Sequence, residues 1–444
     1  IIWLDLSQSL EPTEFLGYNS DTAEAVVTGL VAGDAEIESI CENGTACMLV
    51  NQTPFYAESG GQIGDIGTIS WDGGLARITD TQKTSSGLFI HHINVDAGTL
   101  MTGQAICLQI DAKRRLNLRA NHSATHLLHE ALRVVLGNHV VQKGSLVSPD
   151  RLRFDFSHHT AVSVDELDQV QQIVNARVRM NSEVTTLIMA PDAAIELGAL
   201  ALFGEKYGDE VRVVQMGGMA DKNPDKAWSV ELCGGTHVAR TGDISLFRVI
   251  SESAVSSGVR RIEAVTHEGA LSWIDARDAI LAKTADLLRV APDQLTERVA
   301  QLIEDRKKAE RDMSQLRRKI AVADHNSGPI TGSGIAGEVI NGVTFVGRLL
   351  EDTPARELKS MADEIRSNLK KAVICLVATD AGKASIVVSV TADITNQKNA
   401  VDLVKIGSTA LGGNGGGGRP DMAQAGGPNA DKAAEALRAV SAAL

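Results

Sequence analysis

Over residues 1–116, short apolar runs such as Ala46-Cys47-Met48-Leu49-Val50 and Gly67-Thr68-Ile69-Ser70-Trp71 are separated by glycine and Asn/Asp clusters. Apolar stretches of strand length bounded by turn formers predict a small β-barrel or sandwich. Near Asp111 the period lengthens. Leu116, Ala120, Ala124, Leu127, Leu128, Ala131 and Leu132 recur at helical spacing until Gly137-Asn138 breaks the run. Residues 146–268 mix the two periods: Ser163 with Glu166 has the form of a capping box opening a helix that runs to Arg179, and strands are predicted around 185–189, 211–215 and 262–265. An α+β layer is the economical arrangement.

From Leu271 to about Asp324 the chain is rich in Ala, Leu and charged residues, with a turn at Ala291-Pro292-Asp293, which predicts a helical hairpin. In its second arm Leu295, Val299, Leu302, Ala309, Met313, Leu316 and Ile320 follow alternating steps of four and three, the seam of a coiled coil, although a plain amphipathic helix fits equally well. Residues 326–334 are a linker by composition. Beyond them strands at 372–378 and 384–391, helices at 355–371 and 400–411 and a terminal helix after Pro428 predict a small α/β domain. The stretch 412–420, six of whose residues are glycine, reads as too glycine-dense for regular secondary structure. The fold class is therefore α+β multidomain: a β-barrel-like part over 1–116, an α+β domain over 117–268, a helical hairpin or coiled coil over 269–326 and a C-terminal α/β domain over 327–444.

An apolar fraction of 43% with 22% charged residues in 444 positions excludes a disordered chain and allows several cores. No run of about 18 apolar residues is present. The opening Ile1-Ile2-Trp3-Leu4-Asp5 has neither the basic start nor the cleavage site of a secretory signal. A cytoplasmic location without a membrane partner is expected. The opening also reads as mid-domain sequence, so a longer parent is expected. The scattered, odd set Cys41, Cys47, Cys107, Cys233 and Cys375 fits a reducing compartment. A net charge of −13 argues against indiscriminate nucleic-acid binding, so any such contact must be local. Candidate patches are Lys113, Arg114, Arg115 and Arg119, then Arg151 and Arg153, and a run from Lys307 to Lys319.

His122 and His126, four apart on the predicted helix, share a face and can share a metal ion, while His129 stands on a nearby face. Cys233 and His237, enclosing Gly234-Gly235-Thr236, add a thiolate and an imidazole. The two pairs make a complete tetrahedral set for Zn2+, either closed and structural or able to serve chemistry.

Four blocks carry a resemblance to the alanyl-tRNA synthetase family: Phe55-Tyr56-Ala57-Glu58-Ser59-Gly60-Gly61-Gln62, Asn121-His122-Ser123-Ala124-Thr125-His126-Leu127-Leu128, Cys233-Gly234-Gly235-Thr236-His237 and Gly416-Gly417-Gly418-Arg419-Pro420-Asp421-Met422-Ala423-Gln424. The middle two are shared with free-standing editing proteins and with threonyl-tRNA synthetase. The resemblance implies a zinc-dependent hydrolase over 117–268 that removes serine or glycine from Ser-tRNA(Ala) and Gly-tRNA(Ala), with one Zn2+ at His122, His126, Cys233 and His237. It implies that Thr125 and Gln142 position or discriminate the aminoacyl group and that Gly60, Gly61 and Gln62 border the pocket. It further implies that Gly416, Gly417, Gly418 and Arg419 contact tRNA and that the helical arm and the C-terminal domain support self-association. The ATP-dependent ligase site is expected to lie outside this chain. The competing expectation is a non-catalytic tRNA-binding and oligomerisation module with a structural zinc.

Overall fold

Alternating burial along the first strands reflects closure of a sheet on itself. In the computed structural model, which describes residues 2–200, 208–220, 223–323, 337–367, 369–380 and 382–444, six strands form the wall: β1 Thr22–Ala32, β2 Thr45–Val50, β3 Gly67–Trp71, β4 Gly74–Lys83, β5 Phe89–Ala97 and β6 Ala105–Ile110. They pair in the order β6-β3-β4-β5-β2-β1, and β6 returns to β1 from Ala105↔Val26 to Gln109↔Thr22, so the barrel is closed. Closure leaves no free edge on the wall strands and seals an interior of Val27, Leu30, Met48, Ile69, Ile78, Ile93 and Leu108, all at most 2% exposed.

His91 on β5 is fully buried at this barrel. Its Nδ1–H donates to Met48 O (3.3 Å) and its Nε2 accepts from Thr53 Oγ1 (2.8 Å), an arrangement that suits the neutral ring. Burial holds its pKa down to about 4. The folded value lies below the ordinary histidine value of about 6.5, so the unfolded chain takes up the proton first. The stabilisation is complete above about pH 6.5 and is lost as pH falls toward 4, amounting to about 2 kcal/mol by pH 5. Urea unfolding at pH 7.5 and pH 5 should show this loss in the wild type and not in His91→Gln; equal losses in both would remove His91 as the cause.

The long helix α1, Ala112–Leu136, opens on Asp111, whose side chain accepts from Arg114 N–H (2.9 Å), and ends at Gly137 with φ +114°. The expected helix and its stop are therefore present. Arg115, a candidate nucleic-acid contact by sequence, is fully buried instead. Its guanidinium pairs with Asp65 and donates to Gly17 O (2.8 Å) and Pro54 O (2.8 Å), fastening α1 to the barrel.

Strands β7 Gln142–Val147 and β8 Leu152–Ser157 are followed by α2, Val164–Arg179, with the Ser163–Glu166 capping box in place. Next come β9 Thr185–Met189, β10 Val211–Ala220, β11 Asn223–Leu232, β12 Phe247–Ser256 and β13 Val259–Thr266. These make a four-stranded sheet β7-β8-β13-β12 and a three-stranded sheet β9-β10-β11. Leu127, Leu128 and Leu132 of α1, Phe154 and Phe156 of β8, Val170 and Val174 of α2 and Phe247 are completely buried in one core.

Helices α3 His267–Leu288 and α4 Leu295–Ala323 flank a turn at Pro292–Gln294. The division of the chain into compact units, 1–282 and 283–444, falls within α3. Along α4 the stripe expected to form a coiled-coil seam faces outward. Val299, Leu302, Met313 and Leu316 stand 38 to 58% exposed, because an apolar stripe specifies a face but not its occupant. The expected linker at 326–334 lies outside the described residues.

In the second unit β14 Glu338–Ile340, β15 Val343–Glu351, α5 Ala355–Ser367, β16 Ala372–Asp380, β17 Lys383–Val390, α6 Ala400–Ala410, β18 Gly416–Arg419, β19 Met422–Gly427 and α7 Ala433–Ala442 build a six-stranded sheet ordered β14-β15-β16-β17-β19-β18. The glycine stretch is partly a strand, which corrects the reading that it could not be regular. Gly416 to Arg419 pair with Ala425 to Met422, and a Cβ at Gly416 would lie 2.7 Å from the Ala425 Cβ and 2.9 Å from Val404 of α6. Glycine serves there as a strand residue under a closely packed helix. Among the described residues no helix is long and apolar enough to cross a membrane.

Candidate metal centre

Helical spacing puts His122 and His126 one above the other on α1, and the turn leaving β11 brings Cys233 and His237 against them. The imidazole centroids lie 5.3 Å (His122–His126), 4.5 Å (His122–His237) and 5.1 Å (His126–His237) apart. One donor atom from each of the four residues lies within 4.8 Å of all the others. Cys233 Sγ is 3.4 Å from His122 Nε2 and 3.3 Å from His237 Nε2. A tetrahedron with Zn–S of about 2.3 Å and Zn–N of about 2.0 Å has N···S edges of about 3.5 Å.

The far nitrogen of each ring is held by a neighbour. His122 Nδ1–H donates to Gln62 Oε1 (2.8 Å) and His126 Nδ1–H to Glu231 Oε2 (2.7 Å). Ser123 donates its hydroxyl to Arg119 O (2.8 Å) and so accepts from His237 Nδ1–H (3.2 Å). All three Nε2 atoms are thereby gathered with the sulfur in one cluster, the arrangement metal-binding histidines require. His126 Nε2 is buried without a protein hydrogen-bond partner, an orphan that a metal ion would satisfy. The residues fit zinc.

Electrostatics point the same way. Burial alone would push the Cys233 thiol up, but the His122, His237 and His126 rings hold it well below the usual thiol range. Burial drives His237 down to about 3, against the pull of Cys233. Burial also opposes charge on His126, yet Glu231 and the Cys233 sulfur raise it to about 10. Glu231, buried but facing His126 and His129, stays well below the ordinary carboxylate range. A thiolate surrounded by imidazoles is a soft donor set suited to zinc, and the proton on His126 must leave when the ion arrives.

The turn carrying Cys233 is held from several sides. Arg212 donates to Cys233 O (3.0 Å) and Gly235 O (2.9 Å) and stacks over Tyr18 at 4.2 Å, whose hydroxyl donates to Gly234 O (2.6 Å). Gln62, completely buried, accepts from Thr236 N–H (3.0 Å) and donates to Thr236 Oγ1 (2.9 Å). Any side chain at Gly235 would run into the His122 ring. Gln62 thus ties both halves of the donor set together from behind. Gln62→Leu is expected to weaken zinc binding about 10- to 100-fold, measured by competition with a chelating dye. An unchanged affinity with unchanged circular dichroism would deny it that role.

Beside the donors opens a cavity of about 380 Å³, lined by Gly60, Thr125, His129, Gln142 and Arg212 together with His122, His126 and Cys233. Thr125 donates its hydroxyl to Asn121 O (2.9 Å). Gly60 (φ +59°) has no atom within 4 Å of where a Cβ would stand, so its backbone is bare. Gly61 (φ +87°) packs on Ser145 O, 2.6 Å from an added Cβ, a conformation and approach that only glycine tolerates. Gly416, Gly417, Gly418 and Arg419 belong to the other unit, where Arg419 is 76% exposed beside Asp421 (3.2 Å). Sequence reading missed Glu231, Arg212, Tyr18 and Ser123. Only Glu231 left a local signal, two residues before Cys233 and on the same side of an extended strand.

Comparison with known proteins gives a consistent set of matches. Residues 3–114 match the family of class II (A) tRNA synthetases, 211–263 the threonyl and alanyl tRNA synthetase second additional domain, and 342–444 the DHHA1 domain. The whole chain is 50% identical over 445 residues to an alanine–tRNA ligase of Sinorhizobium medicae and 49% identical over 449 residues to that of Paramagnetospirillum magneticum, covering 50% and 49% of those proteins. The chain spans about half the length of the curated relatives it matches. A crystal structure of the C-Ala domain from Aquifex aeolicus alanyl-tRNA synthetase aligns to 23% of the chain and 93% of that domain, at 32% identity and TM-score 0.23.

Proposed function

The chain belongs to the alanyl-tRNA synthetase family, and from that premise we propose that residues 117–268 form a zinc-dependent deacylase that clears Ser-tRNA(Ala) and Gly-tRNA(Ala). The observation that carries this reading is the convergence of His122, His126, Cys233 and His237 at the wall of a cavity of about 380 Å³. A second site of this kind answers a physical need. Glycine is smaller than alanine and serine larger only by a hydroxyl, so one pocket cannot reject both and the product must be checked.

Bound zinc would supply Lewis acidity, able to polarise an ester carbonyl or to lower the pKa of a water to about 7. The chain's own groups do the rest. Thr125, whose hydroxyl proton is engaged by Asn121 O, presents lone pairs to an aminoacyl ammonium. Gln142, also in the cavity lining, offers an amide, and the bare backbone of Gly60 lets the 3′ end approach closely. Water adds to the ester carbonyl and the bond to the ribose oxygen breaks, releasing the free amino acid and intact tRNA. In the C-terminal unit, exposed Arg419 at the end of the glycine-rich hairpin is proposed to meet a tRNA phosphate, and the bare stripe on α4 to support self-association. The ligase activity of the longer relatives is not proposed for this chain.

One observation favours a structural zinc: the chain supplies four candidate donors, the number a closed tetrahedral site uses. Hydrolysis of Ser-tRNA(Ala) separates the readings. The deacylase reading expects turnover that stops on chelation and returns with zinc. Binding of tRNA without turnover, with unfolding on chelation, would leave only the structural role.

A further inference from the structure

The donor set does not include His129, whose ring packs 5.2 Å from that of Phe154. His129 follows His126 by three positions on α1, and its ring forms part of the cavity wall. Its Nδ1 lies 2.9 Å from Glu231 Oε1, while the other oxygen of that carboxylate takes His126 Nδ1 at 2.7 Å. With Nδ1–H donating to that carboxylate, Nε2 is left as an acceptor. The residue is 6% exposed, and no protein donor meets Nε2. A buried acceptor without a partner has given up its hydrogen bond to water for nothing, and native structures keep few of them. His126 Nε2 is in the same condition, and there a metal ion would be the missing partner. His129 is not in the donor set, so its missing partner must be of another kind.

We infer that His129 Nε2 is a specificity-determining acceptor for the side-chain hydroxyl of a seryl ester held in this cavity. The inference rests on the deacylase reading. Seryl and glycyl esters share the ammonium, the carbonyl and the adenosine, and they differ only in the hydroxymethyl group. The seryl hydroxyl donates to Nε2 and satisfies it. A glycyl ester leaves space for a water to do so, whereas the methyl of a correct alanyl ester excludes that water and leaves the acceptor desolvated. One fixed nitrogen thereby favours serine and disfavours alanine.

Single-turnover hydrolysis of Ser-tRNA(Ala) and Gly-tRNA(Ala) by the full chain tests this. His129→Leu should lower kcat/KM on the seryl ester on the order of 100-fold and change the glycyl reaction less than about threefold. His129→Gln, which restores an acceptor oxygen near the Nε2 position, should recover much of the seryl reaction. Binding of the non-hydrolysable 3′-seryl amide of 3′-amino-adenosine should weaken in His129→Leu while the 3′-glycyl amide binds as before, with zinc per chain unchanged. Equal loss on both esters, loss of zinc, or no loss on the seryl ester would each overturn the inference. Wild-type chain inert on both esters would instead sink the deacylase reading and this inference with it.

Discussion

Cys233→Ala is expected to lose the metal and the ester hydrolysis together. Cys233 supplies the only anionic donor among the four, and its sulfur lies within 3.4 Å of two imidazole nitrogens. Binding of zinc to complete structural sets has been worth about 10–16 kcal/mol in apparent terms, and loss of the thiolate should raise the dissociation constant by roughly a thousandfold or more. Metal per chain after dialysis and the rate on Ser-tRNA(Ala) read the two losses independently. His122→Ala/His126→Ala should behave alike. A Cys233→Ala chain that keeps stoichiometric zinc and full hydrolysis would remove that residue from the site.

Arg115→Met is expected to produce a large loss of stability. Arg115 and Asp65 are both buried, their side chains 1% exposed, and the guanidinium also satisfies Gly17 O and Pro54 O. Methionine fills much of the space but leaves the buried carboxylate with Tyr56 N–H (2.7 Å) in place of its charged partner, Gly17 O with only Arg119 (3.3 Å) and Pro54 O without its donor. Removing one partner of such a pair costs about 3–5 kcal/mol. Urea unfolding followed by circular dichroism measures it. Asp65→Asn/Arg115→Met, which removes both charges, should recover part of the loss, and an undiminished stability of the single variant would show that the clamp holds nothing.

Local pattern and long-range partners differ in how far the chain itself reveals them. The period of Leu127, Leu128 and Leu132 and the stop at Gly137 announce α1, and the spacing of two histidines on one helical face and of Cys233 and His237 across a short turn announces the donors, because both signals are local. The partners that aim those donors are not local. Gln62 reaches Thr236 across 174 residues and Glu231 reaches His126 across 105, and such pairings follow from closure of the barrel and docking of β11 on α1 rather than from any neighbouring pattern. Composition misleads in two places. Arg115 reads as a cation for solvent or nucleic acid, yet an acidic residue fifty positions earlier takes it inside. Gly416 to Arg419 reads as irregular, yet the absence of side chains is what lets α6 lie against that strand. The seam of α4 was legible as a stripe, but an apolar period carries no information about which surface covers it.

X-ray absorption at the zinc edge, on the purified chain, tests the central claim most directly. A shell of three nitrogens at about 2.0 Å and one sulfur at about 2.3 Å, with the sulfur lost in Cys233→Ala, is the predicted result. Zinc absent from the protein after supplementation, or bound by oxygen and nitrogen alone, would contradict it.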